Sequence, residues 1–356
     1  MTLRVALVGC GKVADQHVQE IQKLRTASLV SVCDREPLMA AQLAMRFGVP
    51  KRYSDFGRML REVTPDVVHI TTPPDTHVEL AQQAVDAGSH VLVEKPLALN
   101  SRDARALVEY VERRNRKLTV GYTYHFDPAM QTLRSRIARG DLGDVVHVES
   151  FFGYDLSGPY GRAIIQDSEH WVRRLPGGLL HNVIDHLLNK VTEFIPDQDP
   201  HVYVVAWVKS CSIGLPDELR LMIRGRNTSA FATFSANSRP LVHRLSVFGT
   251  KNIAHVDFVG SVLTFEPSPT LPGAFGRISC AFDQAKQYLL QGMNNVVLFG
   301  RSKYQPLPGL QLLISAFYDS IAFDGPLPIT YADILKVCKL TDGVFSELYG
   351  PEVYSA

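Results

Sequence analysis

The chain has 356 residues, 46% hydrophobic and 21% charged, the proportions of an ordinary water-soluble globular protein, and its length predicts two domains rather than one core. Its 37 basic and 36 acidic residues nearly cancel and form no basic stripe or acidic tail, which argues against nucleic acid or an anionic membrane surface as partner. Five scattered cysteines without a Cys-x-x-Cys pair, no apolar run of about 18 residues and no leader-like segment before the first glycines predict free thiols in a reducing cytoplasm, with no disulfide framework, metal site or membrane span.

Strand and helix signals alternate over the first 120 residues. The apolar run at 4–9 predicts a buried strand, and Val13, Val18, Ile21 and Leu24 recur near the helical period over 13–24. A second strand at 27–34 leads to a helix at 36–48, with Pro37 near its start and Gly48 at its end. A strand at 66–73 precedes a helix at 75–88 that closes on Gly88. Strand 90–96, helix 101–115 and strand 117–124 complete the series. Strict alternation implies a doubly wound parallel sheet with helices on both faces, and a first domain over residues 1–122 is expected.

The pattern changes after a helix at 128–140. Strands are predicted at 144–153, 201–210, 218–225, 228–237, 243–250, 251–260 and 261–266, with period-two patterning and short turns. This describes a large, mostly antiparallel open sheet with few helices between strands, in an α+β domain over residues 123–356 that ends in helices at 311–325 and 331–350. Its free face suits a ligand or another subunit.

The first strand runs into Gly9-x-Gly11-x-x-Ala14. Gly9 permits the tight turn, Gly11 lets the backbone approach a pyrophosphate, and Ala14 keeps the helix against the strand. The N–H groups of the helix start, at Lys12 and Val13, suit phosphate oxygens. Asp34 ends the second strand, 20 residues after Ala14, where a carboxylate accepts hydrogen bonds from the adenosine ribose. That favours NAD, whereas the neighbouring Arg35 suits the 2′-phosphate of NADP. Glu94-Lys95-Pro96 follows the fourth predicted strand and so lies at the carboxyl edge of the sheet, where ligands of such folds bind.

These segments, VGCGKVA with CDRE, then TTPPDTH, HVLVEKPLALN and VGYTYHFDP, resemble in order and spacing those of the Gfo/Idh/MocA oxidoreductases, the family of glucose-fructose oxidoreductase and inositol dehydrogenase. PGGLLHNVIDH at 176–186 resembles the family's second-domain motif. The resemblance implies hydride transfer between a nicotinamide and a hydroxyl or keto carbon of a sugar, cyclitol or sugar derivative, and homo-oligomers built through the second-domain sheet. It also implies that Lys95 touches substrate and cofactor, and that Thr72, Pro73, His77, Glu94 and Tyr122 lie near the cofactor. His125 stands where the family commonly has an arginine.

Aligning His186 with the family histidine puts Asn182 on the position of an aspartate. The two share a helix face at i, i+4. Asn182 orients a hydroxyl but cannot ionise, whereas His186 can act as a base. Asp185 sits about 100° around the helix from His186, a poor substitute for the missing acid. His181, Asp185, His125 and Trp171, the last in an insertion-like segment at 168–174, are further candidates for the substrate side. Loss of the aspartate leaves a non-catalytic sensor of the same fold open, and a further alternative is an enzyme that uses tightly held NAD for elimination, epimerisation or glycoside cleavage.

Overall fold

Buried valine and leucine runs build the first sheet. The computed structural model describes residues 2–269, 271–301, 304 and 307–350, and these form two units. Unit one takes residues 1–123 and 309–342. Its strands are β1 (Leu3–Val8), β2 (Ala27–Cys33), β3 (Lys51–Tyr53), β4 (Val67–Ile70), β5 (His90–Val93) and β6 (Leu118–Val120). All pair in parallel in the order β3-β2-β1-β4-β5-β6. Val5, Leu7, Val68 and Leu92 are fully enclosed, as strands covered on both faces require.

Between the strands run α1 (Lys12–Lys23), α2 (Pro37–Phe47), α3 (Phe56–Val63), α4 (His77–Asp86) and α5 (Ser101–Arg113). The chain winds one way from β1 to β3 and the other way from β4 to β6, so the topological switch lies between β1 and β4. The sequence reading omits β3 and α3. β3 has three residues, of which Lys51 and Arg52 are exposed, so no alternation marks it. Asp55 caps α3 by accepting the Arg58 N–H.

Unit two takes residues 124–308 and 343–356. It opens with α6 (Pro128–Ala138) and β7 (Val145–Asp155), followed by α7 (Pro159–Gln166), α8 (Trp171–Arg174), α9 (Gly178–Val183) and α10 (Asp185–Val191). β8 (His201–Trp207), β9 (Glu218–Arg224), β10 (Ser229–Ser235), β11 (Asn237–Gly249), β12 (Ile253–Asp257) and β13 (Val262–Phe265) complete its sheet. The order is β13-β12-β11-β7-β10-β9-β8, antiparallel except for the β7–β10 pair. One face is buried through Val148, Leu221, Ala232, Phe234 and Leu245, and α10 packs on β7 and β10. The other face exposes Tyr203, Val205 and Phe231.

A 28-residue helix, α11 (Gly273–Gly300), follows β13 where none is expected from the sequence. The last helices, α12 (Pro308–Ala322) and α13 (Tyr331–Tyr349), fall where helices are expected, but their unit differs. Residues 309–342 belong to unit one, not to the second domain. Lys117 ties them there by donating to the carbonyls of Ser320 and Gly325, and the Leu118 N–H donates to the Tyr331 hydroxyl.

Candidate functional site

The turn between β1 and α1 is shaped by what it cannot hold. Gly9 adopts φ +94°, and a Cβ there would lie 2.7 Å from the Thr71 carbonyl carbon and from Thr72. Thr71 Oγ1 donates to the Gly9 carbonyl at 2.6 Å and fixes that close approach. Gly11 is different, because a Cβ there would meet nothing within 4 Å. It is the N-cap of α1, no side chain caps the helix start, and Lys12 is exposed there beside half-buried Val13. Ala14 is fully buried. Open backbone beside uncapped N–H groups fits a pyrophosphate.

Asp34, half-buried after β2, accepts from the Cys10 N–H at 2.7 Å and the Glu36 N–H at 2.9 Å. The carboxylate thus pins the glycine turn to the end of β2, and two of its roughly four lone-pair sites remain for ribose hydroxyls. Arg35 is exposed next to it. Burial, and then the Asp34 charge, push the Cys10 and Cys33 thiols up to about 12, so both are inert.

At the carboxyl ends of β4 and β5 two histidines organise the loops. His77 is fully buried, with Nδ1 2.8 Å from the Pro96 carbonyl and Nε2 2.9 Å from the Thr72 carbonyl. Both ring nitrogens face protein carbonyls, and the neutral ring donates to one of them, so His77 packs between the Thr72-Pro73 loop and the Glu94-Lys95-Pro96 loop instead of meeting a cofactor directly. Burial lowers its pKa, against the pull of those two carbonyls.

Glu94 starts a chain that is not legible in any motif. Its Oε1 lies 3.0 Å from His17 Nε2, His17 Nδ1 lies 2.8 Å from His69 Nδ1, and His69 Nε2 lies 2.8 Å from the Tyr318 hydroxyl. One assignment satisfies every member: Tyr318 donates to His69, His69 to His17, and His17 to a Glu94 carboxylate. Burial is the largest influence and opposes that charge, but the bond and charge of His17 together with the charge and N–H of Lys95 hold Glu94 below its ordinary pKa. Desolvation keeps His69 low and Tyr318 high, both neutral. A Cβ on Gly121 would approach Glu94 Oε1 to 2.6 Å, so the bare backbone after β6 gives the carboxylate its place. Lys95 and Thr72 remain half-buried, and Tyr122 is buried beside Gly121.

Unit two carries the remaining candidates. α9 and α10 meet at Ile184, whose dihedrals stay helical, so Asn182 and His186 keep the i, i+4 relation. Asn182 Nδ2 donates to the Tyr160 hydroxyl at 3.0 Å. His186 is half-buried, edge-on to Phe152 at 5.2 Å and to Tyr124 at 5.7 Å. Asp185 is buried. His181 is fully buried and stacked on Phe345 at 5.0 Å, which makes it a core residue, in contrast to the substrate-side role weighed for it.

His125 Nδ1 lies 3.1 Å from Glu193, which also accepts from Arg134 at 2.7 Å. His125, half-buried, thus shares the Glu193 carboxylate with Arg134. Trp171 stacks on His170 at the start of α8, and the insertion-like segment is a turn followed by that four-residue helix.

Behind His186 stands an arrangement absent from the sequence reading. Lys190, one turn further and fully buried, hydrogen-bonds His243 Nε2. Its Nζ lies 5.7 Å from the Tyr124 ring centre and 5.2 Å from that of Phe258. Desolvation holds the Lys190 pKa well below the usual lysine range, and His243 is lowered likewise. The signal in the sequence was a lysine four residues after His186 within an apolar stretch.

Among the described residues, no group of three or more His, Cys, Asp or Glu side chains is placed to hold a metal ion. No helix among them is long and apolar enough to cross a membrane.

Residues 3–122 match the model of an oxidoreductase family with an NAD-binding Rossmann fold. D-glucoside 3-dehydrogenase of Escherichia coli is 34% identical over 144 residues, 40% of this chain and 41% of that protein. Inositol 2-dehydrogenase of Rhizobium meliloti is 33% identical over 145 residues, 41% of this chain and 43% of that protein. These matches span less than half the length of the curated relatives. Scyllo-inositol dehydrogenase of Lactobacillus casei, solved with NAD(H) and scyllo-inositol, superposes with a TM-score of 0.75 over 98% of this chain and 97% of that one. At 17% identity that likeness shows the fold. The likeness to the Gfo/Idh/MocA oxidoreductases is thus carried by residues 3–122, which match that family's NAD-binding Rossmann fold.

Proposed function

We propose that the chain is an NAD(P)-dependent dehydrogenase or reductase acting on a hydroxyl or keto carbon of a sugar, cyclitol or sugar derivative. The observation that carries this reading is the β1–α1 turn: open backbone at Gly11, an uncapped helix start, and the Asp34 carboxylate pinned beside them. Gly9, Gly11, Lys12, Val13 and Ala14 would hold the pyrophosphate, and Asp34 the adenosine ribose. Exposed Arg35 leaves room for NADP. The relatives named as glucoside and inositol dehydrogenases support the substrate class.

A bound nicotinamide supplies a hydride acceptor at the alcohol carbon, or a donor in reverse. The proton of the hydroxyl then needs a base. His186 takes that role, since a neutral imidazole nitrogen accepts a proton. Lys95 assists at the hydroxyl, and Asn182, oriented by Tyr160, hydrogen-bonds the substrate. Glu94, kept anionic by His17, holds the Lys95 N–H at 3.2 Å and so fixes the backbone of the lysine.

Exposed Tyr203, Val205 and Phe231 support association of copies through the second sheet. The five free cysteines support a reducing cytoplasm. Calorimetric titration with NAD and NADP, followed by NADH formation on a panel of cyclitols, aldoses and sugar acids, tests the proposal. Saturable dinucleotide binding and turnover of one panel member are expected. Failure to bind either dinucleotide refutes it.

A further inference from the structure

α11 is built inside out. Its sheltered side carries Ser279, Cys280, Gln284, Gln287, Gln291, Asn295 and Leu298, all half-buried. Those polar groups are used on β13 and its turn. Gln287 accepts the Phe265 N–H and donates to the Phe265 carbonyl, each at 2.8 Å, and Asn295 donates to the Gly260 carbonyl at 2.9 Å. The helix thereby blocks the β13 edge against further strand pairing.

The outward side carries Phe275, Ile278, Phe282, Ala285, Leu289, Gly292, Val296 and Phe299, every one exposed. Their spacing alternates between three and four residues along the whole helix, the seam of a coiled coil. Arg277, Asp283 and Lys286, the only charged residues of the helix, all lie off this seam.

We infer that α11 pairs with α11 of a second copy of this chain, antiparallel, through this seam. The order of side chains selects that geometry. Antiparallel pairing about Gln287 sets Phe282 against Gly292 and Leu289 against Ala285, bulk against space, at both ends of a two-fold axis. It also sets Phe275 against Phe299 and Ile278 against Val296. Parallel pairing sets Phe282 on Phe282 and Gly292 on Gly292, a crowded layer and an empty one.

Area supports a stable pair. Phe275, Phe282 and Phe299 are 73%, 72% and 73% exposed. At roughly 200 Å² each, they alone offer about 400 Å², half of the ~800 Å² per partner in a standard interface. Ile278, Leu289 and Val296 supply much of the remainder. A bilayer surface is the poorer occupant, because interfacial helices keep a basic polar face for headgroups. Here the polar face is glutamine and asparagine, already turned onto β13.

Light scattering on the full chain tests the pair. The native chain is expected to be an even-numbered oligomer. Phe282→Arg and Val296→Lys are each expected to halve its mass with unchanged circular dichroism, since both side chains are exposed. Oxidised Phe282→Cys/Gly292→Cys should crosslink between copies, whereas Phe282→Cys alone should match the native background. A monomeric native chain overturns the inference, as does a mass that neither charged variant reduces. Crosslinking by Phe282→Cys alone overturns the antiparallel order. Cosedimentation of the native chain with phosphatidylcholine vesicles, lost in Phe282→Arg, assigns the seam to a bilayer and also overturns it.

Discussion

Replacing Lys190 by methionine is expected to remove a specific pH dependence of stability. Lys190 is fully buried, with His243 as hydrogen-bond partner and the rings of Tyr124 and Phe258 over its amine. His243 is itself held neutral by burial, and Tyr124 is pushed up to about 12, so neither offers a counter-charge. Desolvation places the folded pKa of Lys190 well below its unfolded value. Between those two pKa values the unfolded chain binds one more proton than the native one. Native stability therefore rises with pH through that window and levels off above the unfolded lysine pKa of about 10.4. One proton gives a slope of about 1.4 kcal/mol per pH unit, or about 2 kcal/mol from roughly pH 8 to 9.5. Methionine fills a similar volume without the desolvated amine, so Lys190→Met should be the more stable protein at the lower pH. Its advantage should shrink by that amount at the higher one. Loss of the donor to His243 costs about 1–3 kcal/mol at every pH, which offsets the curves but leaves the slope. Urea unfolding followed by tryptophan fluorescence reads unit two alone, because both tryptophans, Trp171 and Trp207, lie there. Native and variant curves separated by a constant difference across this range would refute a neutral Lys190.

Asp34→Ala removes both the ribose acceptor and the anchor on the Cys10 N–H, and should weaken NAD binding roughly 10–100-fold by calorimetry, at about 1–3 kcal/mol; unchanged affinity rejects the ribose contact. Lys95→Ala should lower kcat on the turned-over polyol by roughly 100-fold or more while NAD affinity holds; full turnover takes Lys95 out of the chemistry. Tyr318→Phe leaves buried His69 Nε2 without its donor and should destabilise unit one by about 1–3 kcal/mol in thermal or urea unfolding. An unchanged midpoint would mean that the buried chain runs through a different set of protons.

The first unit was legible because its strands are continuous apolar runs divided by amphipathic helices, and because its turn chemistry is local. Gly9, Gly11, Ala14 and Asp34 fall within one strand-helix-strand unit. β3 escaped because three residues with two exposed carry no period. α11 escaped for the opposite reason, since its apolar stripe faces outward and its glutamines inward. The usual inference from amphipathicity to burial reverses there. In the second unit the helical spacing of Asn182 and His186 was readable, but which histidine faces the core was not. Phe345 settles that for His181 from a distant helix. Lys190 and His243 stand 53 residues apart, and His69 and Tyr318 stand 249 apart, so only the folded chain brings either pair together.

Those distant pairings explain how the carboxyl edge of the first sheet is held. The glycine turn rides on α1, and His17 of that helix bonds Glu94, the neighbour of Lys95. His77 opens α4 and sits between the carbonyls of Thr72 and Pro96, donating to one of them. Two buried histidines therefore couple three loops: the glycine turn, the Thr72-Pro73 loop and the Glu94-Lys95-Pro96 loop. Each loop alone is irregular backbone, free to shift by more than catalytic positioning tolerates. Joined through enclosed hydrogen bonds, where an unmade bond costs more than it would in water, they move as one frame. A change at Tyr318, remote in sequence from every family motif, should accordingly reach Lys95 through His69, His17 and Glu94, so that kcat falls with stability instead of independently of it.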